Sequence, residues 1–143
     1  MPDGGSTDPA DVERLVVHAE DVVTAYETRA RTGERAVLRV TPPFSARMRA
    51  RIHVAQAGEY ENQAGPRPLH IDPADLLGDA CPAYPEPDET RADLDGDPEP
   101  QVHYERHQEA VAAWREAAAD AIRETVTLTV DGDTDTVEVA VLG

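Results

Sequence analysis

Apolar side chains at Val12, Leu15, Val16, Ala19, Val22, Val23, Tyr26 and Ala30 recur at i, i+3, i+4 and i+7, the repeat that lays one stripe along a helix. Asp8-Pro9 supplies an N-cap and a first-turn proline, and Gly33 a C-cap, so the pattern predicts a helix from about residue 8 to 31. Ala36 to Val40 is short, apolar and partly β-branched, and Thr41-Pro42-Pro43 stops it, which predicts a strand. After Phe44 the period changes to two. Met48, Ala50, Ile52 and Val54 alternate with Arg47, Arg49, Arg51 and His53, predicting a strand with one apolar and one basic face, paired with 36–40 as an antiparallel hairpin.

Residues 55–68 are turn-rich. Leu69 to Asp72 predicts a brief third strand, and Asp72-Pro73 opens a capped helical turn. Gly78 to Pro100 is proline-rich and holds eight acids against Arg91 alone, a composition that buries too little apolar surface to offset ordering entropy; an exposed, mobile loop is expected. A second long helix is expected from about Gln101 to Glu124, with Tyr104, His107, Val111, Trp114, Ala118 and Ala121 or Ile122 on one face. Val126, Leu128 and Val130 alternate with threonines, and Asp131-Gly132 turns the chain into Val137, Val139 and Val141, a hairpin with a strong turn signal.

The resulting order is αββ-loop-αββ. It predicts an α+β fold: an antiparallel sheet of four to five strands with both long helices packed on one face and the polar strand faces left open. Residues 1–7 read as a flexible N-terminus and 8–143 as a single domain carrying the acidic loop 78–100.

Charge changes this picture. The chain carries a net charge of -16, with 29 acids against 13 bases, and every base is arginine. From Arg29 to His53 seven arginines face one acid, Glu34, so that window holds +6 and the remainder -22. Such acidity keeps a protein hydrated in concentrated salt, and points to a salt-adapted proteome. One cysteine, Cys81, no apolar run of about eighteen residues and no signal-like start suit a reducing cytoplasm and no membrane.

Alternate residues on a strand lie about 6.6–6.8 Å apart, close to the spacing of successive phosphates, and guanidinium forks bind phosphate bidentately. Arg47, Arg49, Arg51 and His53, widened by Arg39 and Arg35, therefore form the candidate anion-binding or nucleic-acid-binding set. Tyr60 and Phe44 are the nearby aromatics that could stack on bases. The competing readings are that these arginines pair with the chain's own acids, or that the basic face docks an acidic protein or a second copy in a homodimer.

His103 and His107 stand at i, i+4, the spacing for a shared metal, but Tyr104 occupies the place of a zincin's glutamate, so they read as helix-start histidines rather than ligands. Asp131 to Asp135 has the alternating acids of a calcium loop without its sixth-position glycine or twelfth-position glutamate. No phosphate-cradling glycine loop, nucleophile elbow or Cys-x-x-Cys is present. No catalytic set and no cofactor are expected, and a binding protein is favoured over an enzyme.

The run from Val37 through Thr41-Pro42-Pro43-Phe44-Ser45-Ala46-Arg47-Met48-Arg49-Ala50-Arg51, in an acidic lysine-free chain, resembles a group of short haloarchaeal proteins without an established activity. The resemblance implies a halophilic archaeal cytoplasm and brings no catalytic residue with it.

Overall fold

The computed structural model describes residues 6–94, 96–130 and 132–143. It is an α+β fold with two sheets of four and three strands. In chain order the elements are β1 (Arg14–His18), α1 (Ala19–Thr32), β2 (Ala36–Val40), β3 (Arg47–Arg49), β4 (Arg51–Val54), β5 (Leu69–Ile71), α2 (Pro73–Leu76), α3 (Pro87–Ala92), α4 (Pro100–Asp120), β6 (Thr125–Val130) and β7 (Asp133–Leu142). The larger sheet runs β3-β1-β7-β6 and the smaller β4-β2-β5. This replaces the expected single antiparallel sheet of four to five strands and its αββ-loop-αββ order.

The difference starts at β1, where the periodicity predicts a helix. Asp8 and Pro9 do cap a turn, but a 3-10 turn of three residues, Pro9–Asp11, with the Asp8 carboxylate accepting from Ala10 N–H at 3.0 Å. Leu15, Val16 and Val17 are all buried, which a one-sided helix cannot arrange for three consecutive positions. An interior strand can: β1 lies parallel to both β3 and β7, covered on both faces. Burying three such side chains is worth about 1.5–3 kcal/mol each, against helix-propensity differences of only about 0.7 kcal/mol per residue or less. Burial wins, and α1 starts only at Ala19, with Glu20 and Asp21 complementing the positive end of its dipole. Gly33, at φ +75°, ends it as expected.

The second correction concerns the arginine strand. Phe44 to Val54 is shared between the sheets. Arg47–Arg49 forms the edge of the large sheet, beside Arg14–Val16, whereas Arg51–Val54 pairs antiparallel with β2 at the edge of the small one. Between them Ala50 is fully buried and donates its N–H to Val16 O at 2.9 Å. The β2–β4 pairing is the expected antiparallel one, as is that of β6 with β7. Asp131, in the predicted turn, and residues 1–5 of the expected flexible segment lie outside the described residues. Ser6 is bridged to Phe44, whose N–H donates to Ser6 O at 2.6 Å.

The third correction lies in the acidic segment 78–100. It contains α3, closed by a capping box between Glu86 and Glu89, with Thr90 buried. Tyr84 meets Trp114 of α4 edge-on, ring centroids 4.8 Å apart, and Trp114 Nε1–H donates to Pro82 O at 2.9 Å. Aromatic burial supplies the stabilisation that composition alone did not reveal. Tyr26 of α1 also packs against this indole, ring centroids 5.3 Å apart.

One buried charge ties these pieces together. Glu27 of α1 is 8% exposed and accepts from Arg115 Nε at 2.7 Å, Arg115 Nη2 at 3.1 Å and the Tyr84 hydroxyl at 2.9 Å. Burial and the Glu27 hydrogen bond both push the Tyr84 phenol up from its ordinary pKa. Arg115→Met strands the carboxylate, and should lower the stability to denaturant by about 2 kcal/mol, the half-exposed guanidinium moderating the larger cost of a fully buried pair. Tyr84→Phe should cost about 1 kcal/mol. Denaturant midpoints of the two variants at constant salt check this, and a loss below about 0.5 kcal/mol for Arg115→Met contradicts it.

Candidate anion-binding and histidine site

The outer face of the small sheet gathers the chemistry. In an antiparallel pair, residues opposite each other share a face. Arg39 of β2 is opposite Arg51 of β4 on one side and His70 of β5 on the other, which makes a row of three across the sheet. His53, two residues after Arg51, projects to the same face, and its Nε2 comes within 3.5 Å of Arg39 Nη1. Turns at 56–63 then carry Glu59 and Tyr60 over this row: Glu59 N–H donates to Gln56 O, Glu61 N–H to Gly58 O and Gln63 N–H to Tyr60 O. Gly58 adopts φ +71°, a left-handed conformation that favours glycine at this bend.

Both Glu59 oxygens lie 3.1 Å from His53 Nε2, and Glu59 Oε1 is 3.7 Å from His70 Nε2. The Tyr60 hydroxyl is hydrogen-bonded to His70 Nε2 at 2.8 Å. Burial pushes the Glu59 carboxyl up, but hydrogen bonds from His53, the Gln56 backbone and Tyr60, with the His53 charge, outweigh it and hold it below its ordinary pKa. His70 is moved down: burial is the main cause, and the charges of His53, Arg39 and Arg35 add to it against the upward pull of Glu59. Arg35, Tyr60, Arg67 and His70 line a shallow cleft of ≈ 300 Å³ beside this cluster.

The structure thus brings Arg35, Arg39, Arg51 and His53 together, and places Arg47 and Arg49 along the neighbouring sheet edge. Arg47 is exposed; Arg49 is half-buried, its Nε enclosed without a hydrogen-bond partner among the described residues. Phe44 is fully buried in the core and so cannot stack on a base. Glu59, Tyr60 and His70 complete the cluster. Sequence reasoning gave them no joint role, although His70, central in Leu69-His70-Ile71, had the alternation of an outward-facing residue.

His103 and His107 have structural partners. His103 Nε2 donates to Pro87 O at 2.8 Å and His107 Nδ1 lies 3.0 Å from Thr90 Oγ1, fastening α4 to α3. Cys81 Sγ sits 3.5 Å from Pro82 O, and burial raises its thiol pKa, so its thiolate is disfavoured.

The distribution of ion pairs separates the arginines into two sets. Arg14, Arg29, Arg91, Arg106, Arg115 and Arg123 each pair with an acid, Arg29 bridging from α1 to Asp72 at 3.3 Å. Among the described residues, Arg31, Arg35, Arg39, Arg47, Arg49, Arg51 and Arg67 form no salt bridge with Asp or Glu, and Arg39 lies 3.5 Å from His53, which itself pairs with Glu59.

Family comparison covers the full length, with a match over residues 1–143. The chain belongs to the DUF8009 family. The family is described as a domain of unknown function, so membership transfers no activity to these residues. Comparison with curated proteins and with solved structures returns no match. Among the described residues, no helix of this DUF8009 domain is long and apolar enough to cross a membrane.

His70 is expected to titrate below the ordinary imidazole value of about 6.5. Arg39→Ala removes one of the cations that disfavour its protonation, so the midpoint should move up. NMR titration of the His70 ring in both proteins measures this, and an unchanged midpoint contradicts the assigned cause.

Proposed function

We propose that this protein binds nucleic acid, or another phosphate-rich polyanion, along the edge strip formed by Arg47, Arg49 and Arg51, with Arg39, Arg35 and His53 at its small-sheet end. One observation carries the reading: in a chain with 29 acids, none of the arginines of this strip forms a salt bridge with Asp or Glu among the described residues, whereas six of the eight arginines outside it do. Exposed ion pairs are worth only about 0–1 kcal/mol. A modest bias in layout is therefore enough to keep a set of guanidiniums available. Self-neutralisation of the strip has little support from this pattern.

The strip suits phosphates better than bases. Its members are guanidiniums at two-residue spacing, while Phe44 is unavailable and Tyr60 is held by His70. Lysine-free acidity fits a salt-rich cytoplasm, where the Debye length falls to about 3 Å at molar ionic strength and contact pairs do most of the electrostatic work. Bidentate guanidinium–phosphate contacts retain their hydrogen-bond geometry there.

The test is fluorescence anisotropy of a labelled single-stranded oligonucleotide across a series of potassium chloride concentrations. Arg47→Ala/Arg49→Ala/Arg51→Ala should keep the parent's circular dichroism and weaken binding. Its slope of log affinity against log salt should be shallower by about 2, at roughly 0.7 for each phosphate that is no longer neutralised. Binding equal to the parent's in affinity and slope overturns the reading.

A further inference from the structure

We infer that His53, Glu59 and His70 form a binding site for one divalent metal ion of the zinc class. Three chain segments, β4, the 56–63 turns and β5, each contribute one ligand-bearing side chain, and the three ligand atoms lie within 4.8 Å of one another. Both imidazoles present the same nitrogen, Nε2, to the one carboxylate. Two edges of this triangle are 3.1 and 3.7 Å. A tetrahedron with bonds of about 2.0–2.1 Å has ligand–ligand edges of about 3.3–3.4 Å, which those edges bracket. Two imidazoles and one carboxylate suit zinc or cobalt(II) better than calcium or magnesium, which take all-oxygen shells.

The side chains are 21%, 18% and 22% exposed, enough for an ion to enter and for a fourth position to stay open to solvent. Arg39 stands opposite both His70 and Arg51 in the sheet, so a phosphate oxygen is the kind of exogenous ligand this site would accept. The Tyr60 hydroxyl, 2.8 Å from His70 Nε2, would give up that contact when the nitrogen turns to metal. Any proton on either Nε2 leaves as the ion binds.

Arg39 provides a discriminating prediction. Its guanidinium sits 3.5 Å from the nitrogen that the metal would take, so it has to withdraw, and its charge opposes the ion. A histidine–carboxylate ion pair built only for stability would instead be indifferent to metal with or without Arg39. The inference stands apart from the nucleic-acid reading, because it needs no arginine of the strip and no nucleic acid in the assay.

The experiment is titration of cobalt(II) into untagged, chelator-stripped protein, following visible d–d absorption, with zinc displacement and the zinc dependence of the melting temperature as second readouts. The parent is expected to saturate at one equivalent and to melt higher with zinc. Glu59→Gln, His53→Ala and His70→Ala should each weaken binding tenfold or more, by about the scale on which even supporting shells tune metal sites. Arg39→Ala should tighten it about tenfold, by removing a neighbouring cation. His103→Ala/His107→Ala should bind as the parent does. No cobalt spectrum in the parent, a spectrum retained in His70→Ala, or loss of binding only in the His103/His107 variant overturns the assignment. Because Arg39→Ala is expected to gain affinity, misfolding cannot imitate its result.

Discussion

The hydrogen bond from Ala50 N–H to Val16 O is the point through which the rest of the molecule is arranged. It is the last rung binding the segment after Phe44 to β1, and one residue later the chain is the edge of the other sheet. Ala50 is fully buried at this crossing, where a larger side chain would have to displace core atoms. The crossing lets the eight-residue alternation from Arg47 to Val54 persist while its two halves serve different sheets. Arg47 and Arg49 stand beside β1, and Arg51 and His53 are delivered to the face that already holds Arg39 and His70. Without it, the basic strip and the histidine cluster would not adjoin.

Electrostatics divides the surface along the same line. Glu27, Arg115 and Tyr84 commit a carboxylate and a guanidinium to fastening α1, α4 and the segment before α3. Arg29 does similar work at the end of α1, donating to Ala36 O at 2.6 Å and reaching Asp72. These pairs are partly shielded and serve packing. The arginines of β2, β3 and β4 form no ion pair with Asp or Glu among the described residues, and the carboxylate over the small sheet, Glu59, is engaged by His53 and His70.

Local signals were legible where local physics decides. The β6–β7 hairpin, β2, the capped turn at Asp72 and most of α4 follow from alternation, capping and periodicity, and each is found close to its expected place. What failed was decided at long range. β1 pairs with β7 across more than a hundred residues, and an interior strand with parallel neighbours carries no alternation, so Leu15-Val16-Val17 was absorbed into the helical repeat that follows it. With β1 a central strand, the strands divide into two sheets. The basic face was visible from residue spacing alone. Its junction with Glu59, Tyr60 and His70 was not, because the turns at 56–63 that bring them over β2 have no periodic signature, only a glycine at the bend.

The central claim is the proposed one, that the arginines along β3 and β4, with Arg39 and the histidines of the small sheet, form the ligand-binding surface. Backbone and imidazole NMR shifts recorded while a single-stranded oligonucleotide is added test it directly. Perturbations confined to residues 47–54, Arg39 and the His70 ring are the predicted result. Perturbations centred on α1 and α4 around Glu27 and Arg115, or none at saturating oligonucleotide, would contradict it.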